Sequence, residues 1–179
     1  MYYSTIHDCD IANGTGVRVT LFVSGCTNCC EGCFQPETWD FKFGQEFTSD
    51  TEEEIFRMLD HSYIKGLTLL GGEPMEPSNQ RALVPFVKRY KERFPDKNLW
   101  VFTGFRLDEE LLVDGSHSRC EVTDEFLSMI DVLVDGKFEI SKKDITLKYR
   151  GSSNQRIIDM NITRTRGETI LWDEKQATS

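Results

Sequence analysis

Val17-Arg18-Val19-Thr20-Leu21-Phe22-Val23-Ser24 runs straight into Gly25-Cys26-Thr27-Asn28-Cys29-Cys30-Glu31-Gly32-Cys33. The first half is short, β-branched and bounded by glycine, which predicts a strand; the second is a cysteine-rich loop at its carboxyl end. Downstream, Ser49 with Glu52 three residues on predicts a capping box opening a helix to about His61. Gly66 to Leu70 is a short apolar run closed by Gly71-Gly72, the mark of a buried strand. Pro77-Ser78 opens a long helix in which Leu83, Val87, Tyr90 and Phe94 recur at helical spacing. Leu99 to Thr103 predicts a third strand, closed by Gly104, and Leu107 to Ile130 one or two helices interrupted near Gly115-Ser116. Asp131 to Val134 predicts a fourth strand before Asp135-Gly136-Lys137. Strands alternating with helices imply βαβ units, right-handed crossovers and a largely parallel sheet. The cysteine loop, Gly71-Gly72-Glu73-Pro74, Thr103-Gly104 and Asp135-Gly136-Lys137 each follow a strand, so they gather at one rim where α/β proteins build their sites.

The 179 residues suit one domain, long enough to bury a core without covalent staples. Hydrophobic residues are 39% and charged residues 28%, the profile of a soluble globular chain and too apolar for a disordered one. No run of ~18 apolar residues predicts a membrane span. The start, Met1-Tyr2-Tyr3-Ser4-Thr5-Ile6-His7-Asp8, lacks the basic and apolar regions of a signal peptide, so the expected compartment is the cytoplasm. A net charge of −9 weighs against a nucleic-acid partner, because phosphate binding is carried by clustered Lys and Arg. The tail after Asn161 is polar apart from Ile170-Leu171-Trp172; it is expected to be loosely ordered or to dock on a partner.

Six cysteines are the oddity, and Cys26, Cys29, Cys30 and Cys33 fall within eight residues. In a reducing compartment such clusters bind metal more often than they form disulfides. A structural zinc site pairs two CxxC knuckles that approach from different directions. Here the knuckles abut, so four thiolates on one tetrahedron would strain the loop. Three thiolates on an iron–sulfur cubane are easier, each taking its own iron and leaving one iron open. Spacing permits Cys26, Cys30 and Cys33, or Cys26, Cys29 and Cys33. Cys9 and Cys120 stand alone and read as small buried hydrophobes. His7, His61 and His117 show no ligand spacing and read as surface residues. Trp39, Trp100 and Trp172 read as core or interface anchors, and Gly14-Thr15-Gly16 lacks the context of a dinucleotide fingerprint.

The CxxxCxxC of Cys26, Cys30 and Cys33 after the first strand, with Gly71-Gly72-Glu73-Pro74 after the next, resembles the radical S-adenosylmethionine family. Within it the chain is most similar to the activating enzymes of anaerobic (class III) ribonucleoside-triphosphate reductases. The segments that carry this are Asn13-Gly14-Thr15-Gly16, Thr20 to Cys26, Pro36-Glu37-Thr38-Trp39, Leu70 to Pro74, Trp100 to Gly104, Val132 to Phe138 and Arg150-Gly151-Ser152-Ser153-Asn154-Gln155. They reach about Ile158 and leave the tail uncovered.

The resemblance implies an α/β fold, an incomplete TIM-type barrel of six strands or fewer over residues 1–160, with 161–179 as a tail. It implies that Cys26, Cys30 and Cys33 hold a 4Fe–4S cluster, with Cys29 a bystander. The open iron would chelate S-adenosylmethionine, Gly71 and Gly72 would approach its amine, and Glu73 would orient that turn or its ligand. The position before the third cysteine, often aromatic in the superfamily, is Gly32 here and Phe34 follows; backbone from Gly32 through Cys33 to Phe34 is the expected adenine contact. Asp135 and Lys137 are expected to shape the rim or touch the cofactor, and Arg150 with Ser152 to Gln155 to contact the partner or form a polar loop. The implied activity is reductive cleavage of S-adenosylmethionine to a 5′-deoxyadenosyl radical, with no catalytic side chain beyond the cluster and cofactor. That radical would remove hydrogen from a glycine of the reductase large subunit, with reduced flavodoxin or a similar protein as electron donor. The rival readings are an activase of a formate-lyase type enzyme and a non-enzymatic zinc or iron–sulfur module.

Overall fold

The computed structural model describes residues 1–175 and is an α/β protein built on one open, mixed sheet of seven strands. The strands are β1 (Tyr2–Asp10), β2 (Val17–Val23), β3 (Gln45–Glu46), β4 (Ile64–Gly71), β5 (Asn98–Phe102), β6 (Val132–Asp135) and β7 (Arg156–Asp159). Their order across the sheet is β3-β1-β2-β4-β5-β6-β7. Strands β2, β4, β5 and β6 are parallel, whereas β1, β3 and β7 join antiparallel. The expected largely parallel sheet of six strands or fewer is corrected to seven, because β1, β3 and β7 extend the parallel centre at both edges. The helices are α1 (Ser49–Leu59), α2 (Pro77–Arg93), α3 (Thr123–Met129) and α4 (Met160–Arg166). Between β5 and α3 there is only a π-helical turn, Leu107–Leu111, where longer helix was expected.

Strand parity gives the sheet two apolar faces of different kinds. Val19, Leu21 and Val23 of β2, Leu67 and Leu69 of β4, Leu99 and Val101 of β5 and Leu133 of β6 pack with Ile55, Leu83, Val87 and Phe126 in the main core under the helices. The other face carries Trp100, Val132 and Val134, covered by Tyr149 and Trp172 rather than by helix. Trp172 meets Trp100 edge-on with centroids 5.4 Å apart, and Trp172 N donates to Ile157 O at 2.8 Å, so the tail segment closes the far end of this face. Residues 176–179, the end of the 161–179 tail, lie outside the described residues. We expect Trp172→Ala to destabilise the protein by ~2 kcal/mol in urea unfolding, below the range for a fully buried Trp because Trp172 is half-buried. No measurable change would mean that the aromatic plug is superficial.

Arg18 is fully buried on the inner face. Its guanidinium donates to Thr68 Oγ1 at 2.7 Å, Leu67 O at 2.9 Å and Thr15 O at 3.1 Å, and lies 5.6 Å from the Trp100 ring centre. Burial without a bonded carboxylate pushes its pKa down to about 10, still charged at neutral pH. A side chain at Gly14 would press within 2.8 Å of Arg18 Cδ, which gives Asn13-Gly14-Thr15-Gly16 a packing role. Cys9 corrects its expectation: it is exposed on β1, while Cys120 is partly buried near Gln80. Among the described residues no helix is long and apolar enough to cross a membrane.

Candidate iron–sulfur site

Residues 24–39 leave β2, fold outward through the cysteines and return under themselves by a 3-10 turn at Pro36–Trp39. Gly25 N donates to Thr38 O at 2.7 Å and Cys26 N to Trp39 O at 3.4 Å, closing the loop at its neck. The glycine pair after β4 meets this neck. Gly72 N donates to Val23 O at 2.7 Å and Glu73 N to Gly25 O at 2.8 Å, and a Cβ on Gly72 would come within 2.8 Å of Gly25 O. Gly71 has φ +112, a conformation side chains rarely adopt. Two glycines are therefore required here by backbone packing alone.

Two buried carboxyl groups hold the loop from behind. Thr27 donates its N–H at 2.7 Å and its hydroxyl at 2.6 Å to Glu76 Oε1. Asn28 Nδ2 donates to Glu73 Oε2 at 3.0 Å, which also accepts Gly104 N at 2.7 Å, while Glu73 Oε1 accepts Met75 N at 2.9 Å. Glu73 is 1% exposed, and burial pushes its pKa up to about 7 against the lowering pull of hydrogen bonds from Thr103, Gly104 and Met75. Glu73 and Glu76 stand just before α2, Glu76 at its N-cap, so the GGEP turn and the helix entry form one clamp on the cysteine loop.

A cavity of about 470 Å³ opens beside this loop. Cys26, Cys30 and Cys33 all line it, together with Gly71, Gly72 and Glu73. Cys29 does not line it; it is exposed and has a left-handed φ of +46 that turns its side chain outward. Burial first, then the negative charge of Glu73, pushes Cys26 up to about 12, and burial also raises Cys30. In cluster-free protein we expect iodoacetamide to modify Cys9 and Cys29 well before Cys26, read by peptide mass spectrometry; early labelling of Cys26 would contradict this geometry.

Phe34 lines the cavity mouth and is 68% exposed, its ring 5.2 Å from Phe138. Gly32 lies under Ile140, outside the cavity lining. Asp135, fully buried, accepts from Arg156 at 2.6 and 2.9 Å and from Leu107 N at 2.8 Å, so it shapes the rim. Gln155 takes Gly151 N at 2.8 Å and Ser152 N at 3.1 Å on Oε1 and donates to Gly136 O at 3.0 Å, stapling the ends of the 136–155 loop. Sequence reasoning missed Glu76 and Asn28. Their signal was a second glutamate in Gly71-Gly72-Glu73-Pro74-Met75-Glu76-Pro77 and an amide between two cysteines.

The residues fit an iron–sulfur group. Among the described residues no three Cys, His, Asp or Glu side chains converge tightly enough for one metal ion. Thiols spread along a cavity wall suit a cluster in which each binds a separate iron. The volume lies within the range of small-ligand sites, leaving space for an organic cofactor.

The comparisons with known proteins agree. Residues 12–158 match the model of a family described as a 4Fe-4S single cluster domain. A protein of Pasteurella multocida (strain Pm70) named "Anaerobic ribonucleoside-triphosphate reductase-activating protein" is 47% identical over 159 residues, 88% of this chain and 96% of its own length. Proteins of the same name are 41% identical over 159 residues in Enterobacteria phage T4 (88% and 93% of the two chains) and 42% over 157 residues in Escherichia coli (strain K12) (87% and 96%). The chain belongs to the family of anaerobic ribonucleoside-triphosphate reductase-activating proteins.

Proposed function

We propose that this chain is a radical S-adenosylmethionine enzyme that generates a glycyl radical on the anaerobic ribonucleoside-triphosphate reductase. The observation that carries the reading is the division of the cysteine loop: Cys26, Cys30 and Cys33 line one cavity and Cys29 turns away from it. In this reading those three thiolates hold a 4Fe–4S cluster. Bound together, the cluster and S-adenosylmethionine supply the one-electron cleavage of a C–S bond and the radical that abstracts hydrogen.

The chain's own residues hold and orient. Glu73 and Glu76 fix Thr27 and Asn28, and with them the direction of the thiols that flank them. Gly71 and Gly72 bring backbone to the cavity wall for the amine of the cofactor, and Cys33 to Phe34, with Gly32 before them, form the side toward the adenine. The apolar floor under Phe102 and Leu70 limits water in the cavity. The open sheet with its second apolar face is read as an incomplete barrel over residues 1–160, with 161–179 appended, open enough for a loop of another protein to enter. Reduced flavodoxin or a similar cytoplasmic donor supplies the electron.

Anaerobic reconstitution tests the reading: about four irons per chain, bleaching by dithionite, and release of 5′-deoxyadenosine and methionine. Mixing with the reductase is then expected to give the doublet of a glycyl radical by electron paramagnetic resonance. Stable iron incorporation without cofactor cleavage would overturn it.

A further inference from the structure

The 137–150 segment covers one side of the cavity mouth and differs in charge from the rest of the chain. It holds five basic side chains (Lys137, Lys142, Lys143, Lys148, Arg150) against Glu139 and Asp144, a net +3 in a protein of net −9. Lys142 pairs with Glu139 at 2.7 Å and Lys148 with Glu174 at 3.2 Å. Lys137, Lys143 and Arg150 have no carboxylate within ion-pair distance among the described residues. Lys143 Nζ stands 5.4 Å from the Phe34 ring centre, and Arg150 lines the cavity. Beside these charges sit large apolar side chains that water should not keep exposed: Phe34 at 68%, Ile140 at 49% and Ile145 at 90%.

The geometry points to this rim as the docking surface for an acidic, extended segment of the partner that carries the reactive glycine, with at least one large apolar side chain to cover Ile140 and Ile145. The inference rests on the activase reading above and adds the chemistry by which the partner is chosen. Three features commit it to that occupant. The same segment lines the cavity holding the three thiols through Phe138, Leu147, Tyr149 and Arg150, so a peptide bound along it has its neighbouring residues at the mouth. The unpaired cations complement carboxylates and repel a basic segment, giving both attraction and discrimination. The stapling by Gln155, together with Asn154 Nδ2 donating to Lys137 O at 2.8 Å and Ser152 Oγ accepting Glu139 N at 3.2 Å, holds the rim in shape before the partner arrives.

The experiment uses the reconstituted protein with S-adenosylmethionine present and the intact reductase as probe, measuring Kd by titration at low and high NaCl. Lys143→Glu and Ile145→Asp are each expected to weaken binding by on the order of tenfold, with a flatter salt dependence for Lys143→Glu. Cofactor cleavage by dithionite without the reductase, and the reduced-cluster spectrum, should stay at wild-type level in both variants. Lys88→Glu on α2, far from the mouth, should bind normally. Unchanged affinity in both rim variants, or wild-type binding insensitive to salt, would overturn the rim assignment while leaving the activase reading intact. If the wild-type protein cleaves no S-adenosylmethionine, the activase reading fails instead.

Discussion

Cys30→Ala is expected to abolish cluster assembly, iron falling from about four per chain to near zero, while Cys29→Ala reconstitutes normally. The two residues are neighbours with the same chemistry, so only their geometry separates them. Cys30 lines the cavity and its carbonyl accepts Cys33 N at 3.1 Å, a turn that brings those two thiols to one wall. Cys29 is exposed at φ +46, which costs an ordinary residue about 1 kcal/mol. That left-handed residue is what lets Cys30 turn inward. Cys29→Gly should then keep the cluster as well, since glycine adopts this conformation without strain. The controls matter because Cys30→Ala also removes a partly buried thiol; far-ultraviolet circular dichroism of the variant should match the wild-type protein. Loss of iron in Cys29→Ala with retention in Cys30→Ala would make Cys26, Cys29 and Cys33 the ligands.

That discrimination was not available from spacing, which allowed both sets of three. The parallel centre was legible, because β2, β4, β5 and β6 are apolar runs closed by glycine or aspartate, and α2 shows its core stripe openly. Strand β1 was not, since His7, Asp8 and Cys9 are exposed on an outer strand whose pairing comes from the β2 ladder rather than from its own pattern. The α1 cap illustrates a tertiary override. Ser49 and Glu52 have the right spacing for a capping box, yet Thr48 and Thr51 form it. Glu52 turns instead to Arg89 on α2, with Arg89 Nη2 donating to its Oε2 at 2.6 Å. Helix α4 did have readable ends, Asp159 capping Ile162 N at 3.0 Å and Gly167 left-handed after Arg166, but its short polar body hid them. At the site, the thiols and the glycine pair were legible as types. Glu76 was not, because its role exists only once the entry of α2 is packed on the cysteine loop.

Glu73 is expected to make the cluster-free protein less stable as the pH rises through neutrality. Burial raises its folded-state pKa to about 7, from an ordinary value of 4.5. Between those values the folded chain binds the proton that the unfolded chain has released, so stability falls with increasing pH. The contribution is fully present below about pH 4.5 and is lost by the time the pH has passed about 7. The shift corresponds to at most about 3 kcal/mol. Urea unfolding of wild-type and Glu73→Gln protein at pH 5, 6, 7 and 8 isolates it, because groups distant from Glu73 contribute equally to both profiles. Glutamine keeps one oxygen acceptor but loses the other, so the variant should start somewhat weaker at pH 5 and then lack this part of the decline. Parallel pH profiles would refute the assignment. The proton matters to the site because the carboxyl group that loses or gains it also receives Asn28 and Gly104 on Oε2. The group that tethers the cysteine loop to the turn after β4 is thus poised near neutral pH, and in the cluster-free protein its ionisation state should be felt at the loop that carries the thiols.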